Sequence, residues 1–172
     1  KGLMTYVEHS DQERYMDDLG RNNVRQVSSG GSVANSMIVM SHFGANAFFS
    51  CRIGKDASGD KYYNDMKAAG LHCNFDSMPR AEGFTGRCLV KITPDADRTM
   101  LTYLGTSIEL CEQQLNLEAL KNSKYLYVEG YLTTSPTGLQ AAKTAIKLAK
   151  ENGIKVAITL SDPDIVKNFK PQ

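Results

Sequence analysis

An α/β fold is predicted, with a mostly parallel sheet flanked by helices and a small β-sheet projecting as a lid. Three observations lead there. Strand-like and helix-like runs alternate at both ends of the 172-residue chain. In the middle, the runs at 71–77, 85–93 and 98–104 follow one another with no helical pattern between them. Lastly, Ile154 to Leu160 (IKVAITL) is nearly all apolar, as expected of a strand covered on both faces.

Taken in order, residues 3–8 (LMTYVE) form a short strand and 11–20 a polar helical turn. Val24 to Val27 forms a second short strand leading into Gly30-Gly31. From Val33 the apolar residues fall at helical spacing, with Ser29 or Ser32 as the cap. Gly44 ends that helix, Ala47 to Ile53 is a buried strand, and Ser58 to Ala69 is an amphipathic helix stopped by Gly70. The lid strands are placed at about 3–8, 24–28, 71–77 and 85–104, with Pro94 to Asp97 turning a hairpin. Alternation then resumes. Tyr125 to Val128 is a strand, and Ser135-Pro136 is an N-cap followed by a proline in the first helical position. Leu139, Ala142, Ile146 and Ala149 line the buried face of the next helix, and Asn152-Gly153 ends it. With IKVAITL this makes a right-handed βαβ unit.

Composition excludes several functions. The net charge is +1, from 20 basic and 19 acidic side chains, so no field draws nucleic acid or an anionic membrane. No apolar run approaches the ~18 residues that span a bilayer, and KGLMTYVEHSD lacks the apolar core of a secretion signal. Cys51, Cys73, Cys88 and Cys111 are scattered with no C-x-x-C pair, which favours free thiols and a cytoplasmic location.

Chemistry concentrates between Gly30 and Gly70. Paired glycines let the backbone turn sharply and approach a ligand, and Asn35 brings a donor and an acceptor to the helix mouth. Taken alone, these residues are better read as a tight turn and an Asn that caps or packs, because short glycine motifs are weak signals. Glu129 follows the strand YLYV, at the strand end where doubly wound sheets bind ligands; a solvated loop carboxylate is the competing reading. Arg98 closes the lid hairpin, and position alone favours a wet turn over a functional one. Gly54-Lys55 lacks the remainder of a P-loop, and Asp56 to Asp60 lacks the glutamate that completes a calcium loop. Lys143, Lys147 and Lys150 form a solvated helix face. His9, His42 and His72 belong to no catalytic pattern, and His42 is expected to be packed.

The run GGSVAN at 30–35, the separation of Gly44 and Gly54, GKDASG at 54–59, PDADRTM at 94–100, YVEGY at 127–131 and LSDP at 160–163 resemble the ribokinase-like (PfkB) sugar and nucleoside kinases. Adenosine-kinase-type members are the most similar. The resemblance covers nearly the whole chain and implies ATP-dependent phosphoryl transfer, with Mg²⁺, to a hydroxyl of a sugar or nucleoside. By this likeness Gly30, Gly31 and Asn35 hold the sugar hydroxyls, with Ser32 assisting. Arg98, Met100 and Thr102 cover the substrate from the lid, and Glu129 matches a sugar-contacting acid. Val33 and Met37 depart from the signature, which has small residues there, and Glu129 leans towards sugar kinases, so the acceptor stays open between the two classes.

The family's D-T-x-G-A-G-D run, which supplies the catalytic Asp and the anion hole, has no counterpart here. The N-x-x-E motif and the opening G-N-x-x-x-D strand are likewise missing. Relatives are about twice this length. The expectation is therefore the N-terminal and lid half of a larger kinase, without the nucleotide-binding half, inactive alone and binding neither ATP nor Mg²⁺ tightly. A homodimer through the lid sheet is the expected assembly. The alternative is a non-catalytic sugar- or nucleoside-binding or assembly module.

Overall fold

The computed structural model describes residues 4–20, 23 and 26–169. Three small hydrogen-bonded sheets organise it. Strand β1 (Met4–Tyr6) is followed by α1 (His9–Leu19), α2 (Ser32–His42), β2 (Phe48–Phe49), α3 (Ala57–Ala68) and β3 (His72–Cys73). Next come β4 (Arg87–Ile92), β5 (Arg98–Tyr103), α4 (Leu117–Lys121), β6 (Tyr125–Glu129), α5 (Pro136–Glu151), β7 (Lys155–Thr159) and α6 (Pro163–Phe169). The body contains two parallel pairs, β2 with β3 and β6 with β7. The lid is β1-β5-β4, in which the hairpin β4–β5 is antiparallel and β1 joins β5 in parallel.

The main core lies between α2, α3 and the β2–β3 pair. Ala34, Met37, Ala47, Met66, Leu71 and Cys73 are buried together, with Phe49, Tyr62 and Phe75 packed around them. This core draws residues 71–77 away from the lid. His72 and Cys73 pair with Phe48 and Phe49, and Asn74–Asp76 then turn as a 3-10 helix. Residues 24 and 25 of the expected 24–28 strand lie outside the described residues, and 26–28 are exposed with no strand.

The strand expected over 47–53 is cut to two residues by Asn74, whose side chain takes over the backbone of Cys51. Its Oδ1 accepts from Cys51 N at 3.0 Å, and its Nδ2 donates to Cys51 O at 2.9 Å. Beyond that clamp, Ile53 and Lys55 bond the backbone of Ala81 instead. All four cysteines are free thiols; Cys73 is buried and Cys88 exposed. His42 ends α2 exposed, not packed.

Helix α5 follows its sequence closely. Ser135 Oγ accepts from Gly138 N at 3.0 Å, and Pro136 opens the helix where no intrahelical N–H is needed. Its buried face is Gly138, Ala141, Ala142, Ala145 and Ala149, while Leu139 and Ile146 are only half-buried. Small side chains at the centre let α5 sit close to the β6–β7 pair and leave the larger residues at its margins. Strand β7 departs from its expected setting. Lys155 and Ala157 are exposed beside Tyr125 and Tyr127, and Ile158 and Leu160 are 56% and 67% exposed.

Asn74 is 1% exposed, and its removal strands two backbone groups of Cys51. Asn74→Ala is expected to cost roughly 2–4 kcal/mol, one buried polar penalty for each group. The check is the urea midpoint at unchanged slope; a shift within 0.5 kcal/mol, about the size of a surface substitution, contradicts the clamp.

Candidate functional site

The candidate site residues lie on the mouth of α2, the C-terminal ends of β6 and β7 and the root of the lid, a region termed here the candidate crevice. Gly31 caps α2 with φ 118°, a left-handed conformation open to glycine. Neither Ser29 nor Ser32 caps the helix. Ser32 is its first residue, and Ser29 turns to α3, where its Oγ donates to Asp65 Oδ2 at 2.7 Å and its N–H to the same oxygen at 3.3 Å. Tyr62, one turn earlier on α3, donates its hydroxyl to Gly30 O at 3.3 Å. The glycine turn is thus braced from beneath by α3 while Gly30, Gly31, Ser32 and Asn35 stay exposed on its upper side.

Glu129 ends β6, beside α2. Its carboxyl is half-buried and accepts no hydrogen bond from the described residues, and burial raises it above the usual carboxylate range. Burial also pushes the Tyr62 phenol far up, with Cys51, Cys73 and then Glu129 adding to the effect. Tyr131 follows two residues after Glu129; burial raises it first, then the charges of Asp162, Tyr6 and Glu129. Tyr6, on the lid strand β1, is raised by burial and then by Asp162. Lid and body share one electrostatic neighbourhood here.

The loop after β7 completes the wall. Ser161 adopts φ 68°, which costs a side-chain-bearing residue about 1–2 kcal/mol. Its Oγ is buried with no partner among the described residues. Asp162 Oδ1 accepts from Asp164 N at 2.8 Å. Strain and an unsatisfied hydroxyl at a strand's C-terminal end are features that cluster at ligand sites.

The lid residues divide. Register puts Met4, Tyr6, Val90, Ile92, Arg98, Met100 and Thr102 on one face of the lid sheet. Thr102 pairs with Tyr6 at the root, nearest the crevice, and Met100 sits one row further out. Arg98 is at the tip, opposite Ile92, exposed, with its backbone N–H on Asp97 Oδ1 at 3.0 Å. Gly30, Gly31, Ser32 and Asn35 lie at the mouth of α2, Glu129 ends the strand β6, Thr102 stands in the root row of the lid opposite Tyr6, and Arg98 is at the far end of the hairpin. Sequence reading passed over Tyr6, Tyr62, Tyr131, Ser161 and Asp162 as crevice residues. YVEGY and LSDP had marked the two strand ends that carry three of them; nothing local marks Tyr62, which reaches the turn from another helix.

These features define an α/β domain with a small β-sheet lid. The chain belongs to the pfkB family of carbohydrate kinases, whose model matches residues 2–172. Among solved structures it is similar to the adenosine kinase of Sinorhizobium meliloti, with TM-score 0.86 and 29% identity, covering 99% of this chain and 51% of that one. A probable sugar kinase of Rhizobium etli CFN 42 gives TM-score 0.88 and 27% identity, over 99% of this chain and 51% of that one. Among curated proteins, a 5-dehydro-2-deoxygluconokinase of Halalkalibacterium halodurans is 28% identical over 133 residues, 76% of this chain and 40% of that protein. The chain spans about half the length of these solved structures and less of the curated relative. Among the described residues no helix is long and apolar enough to cross a membrane.

The raised carboxyl of Glu129 has a sign that can be checked. Between the ordinary carboxylate value and the raised one, the folded state holds more protons than the unfolded, so stability falls as pH rises through that window. Glu129→Gln is expected to be more stable than wild type at pH 7.5. The gap should close as pH falls towards about 4.3, where the unfolded carboxyl also takes up its proton. Urea denaturation at the two pH values measures it; a variant less stable at pH 7.5 means the carboxylate has a stabilising partner.

Proposed function

We propose that residues 1–172 form the acceptor-binding and lid part of a kinase that transfers phosphate from ATP to a hydroxyl of a sugar or nucleoside. The observation that carries this reading is Glu129: a half-buried carboxylate with no hydrogen-bond partner among the described residues, at the end of a strand that packs beside α2, the helix opened by the exposed glycine turn. Such a carboxylate is kept at a cost in stability, and paired hydroxyls of a sugar are ligands that relieve it. The adenosine kinase and sugar kinases to which the chain is similar support both acceptor classes.

ATP and Mg²⁺ are implied by the family, and the described residues do not fit them. No group of three His, Cys, Asp or Glu side chains among them is placed to hold a metal. The chain also contains no G-x-G-D run to supply an anion hole and a base. No phosphoryl-transfer step is therefore drawn through these residues, and this segment alone is proposed to be inactive. The binding-module alternative would keep Ile158 and Leu160 in water on an unpaired β7 edge, a liability for a stand-alone protein.

The outer part of the lid face, where Val90 and Ile92 are 44% and 70% exposed, supports pairing with a second copy. The lid would then serve two ends, its root over the substrate and its tip in a homodimer.

The test is a coupled kinase assay on the protein expressed from its whole gene, with adenosine, ribose and fructose as acceptors. Glu129→Ala is expected to lower kcat/KM about 10- to 100-fold, the worth of hydrogen bonds to a charged group, and residues 1–172 alone to show no turnover. On sedimentation the whole protein should be a dimer and Ile92→Lys a monomer. Full activity in Glu129→Ala would remove Glu129 from the acceptor site; an unchanged dimer in Ile92→Lys would remove the lid tip from the interface.

A further inference from the structure

Helix α3 touches both halves of the crevice. From its body, Asp65 holds the N–H and hydroxyl of Ser29, and Tyr62 holds the carbonyl of Gly30. From its N-terminus, the Asp56 carboxylate reaches the lid. Asp56 Oδ1 accepts from Gly59 N at 2.8 Å, capping the helix, and from Thr85 Oγ1 at 2.5 Å. Its Oδ2 accepts from Thr85 N at 3.0 Å. Thr85 Oγ1 accepts in turn from Gly54 N at 3.0 Å.

Thr85 is 4% exposed and stands two residues before β4. The other lid root passes beside it, with Thr106 N donating to Phe84 O at 2.9 Å. A Cβ on Gly59 would run into Gly54 O and lie 2.8 Å from Thr85 Oγ1, so the junction has no slack. Burial raises the Asp56 carboxyl, but hydrogen bonds from the Thr85 hydroxyl and amide and from Gly59, with the charge of Arg87, bring it below its ordinary value. The carboxylate is the form that fits.

We propose that Asp56 and Thr85 are positioning residues, a latch through which α3 sets the lid over the glycine turn, so that a ligand ordering one orders the other. The proposal rests on the acceptor-site reading for the ligand and on the hydrogen-bond geometry alone for the latch. A rigid helix fastened to the turn at two points and to the lid root at one transmits displacement in both directions. Asp56 and Thr85 touch no substrate in this account. They act by holding the lid root at a fixed height.

Amide hydrogen exchange on the protein expressed from its whole gene separates the two parts. Without ligand, Thr85→Val is expected to speed exchange over 86–92 and 98–103 about tenfold or more, as a local opening, while α5 stays at wild-type rates. Thr85→Ser, which keeps the hydroxyl, should restore protection. Asp56→Asn retains the cap acceptor but loses one acceptor for Thr85, and should open the same segments. Lid exchange unchanged in both variants, or an equal rise in α5, overturns the latch.

Adenosine and D-ribose are then added separately. In wild type, protection should rise together at 26–31 and 86–92; in Thr85→Val it should rise at 26–31 only. A joint rise that survives in Thr85→Val overturns the coupling. If neither compound changes exchange at 26–31, the acceptor reading fails, while the unliganded rates still decide the latch.

Discussion

One carboxylate, that of Asp56, joins the core and the lid of this domain. It caps α3 and takes both polar groups of Thr85, so the first turn of a core helix and the root of the lid share an acceptor. The core beneath makes that anchor firm. Met66, on the same helix, is fully buried among Met37, Leu71 and Cys73. A lid made of three short strands has little hydrophobic area of its own. Its position must come from such anchors, joined by α1, whose buried Gln12 donates to the carbonyls of Arg87 and Leu101 at 3.1 and 3.0 Å.

Unsatisfied groups occur at the candidate site, as they do at Arg52, Arg80, Arg87 and Thr106 elsewhere among the described residues. Among the described residues Glu129 is half-buried without a hydrogen-bond partner, Ser161 holds a left-handed backbone and a buried unpartnered hydroxyl, and Tyr6, Tyr62 and Tyr131 are raised by burial. Local rules are broken where function requires it, and Glu129 and Ser161 stand at or just beyond the C-terminal ends of parallel strands, where α/β sheets bind ligands.

How much of this was legible depended on whether the signal was local. Ser135-Pro136 and Asn152-Gly153 bounded α5 because caps and stops act within one turn. The hairpin at Pro94 to Asp97 was legible for the same reason. Residues 71–77 resembled a lid strand in pattern, yet Leu71 and Cys73 are claimed by a core built from α2 and α3, which no local window contains. The strand at 47–53 failed because Asn74, 23 residues away, satisfies the Cys51 backbone. IKVAITL has the composition of a doubly covered strand, while Lys155, Ala157 and Ile158 are exposed among these residues. In the site, the glycine turn, Asn35 and Glu129 were legible as motif and strand end. Tyr62 was not, since only the packing of α3 brings it to Gly30.

The central claim is that this crevice receives the acceptor, with Glu129 as its principal polar contact. A crystal structure of the whole protein with its phosphorylatable sugar or nucleoside bound tests that most directly. The account expects two neighbouring hydroxyls within about 3 Å of the Glu129 carboxylate, at hydrogen-bond distance, with Asn35 on the same ring and Tyr6 and Thr102 lowered over it. A ligand seated elsewhere, with Glu129 still unpartnered, would contradict it.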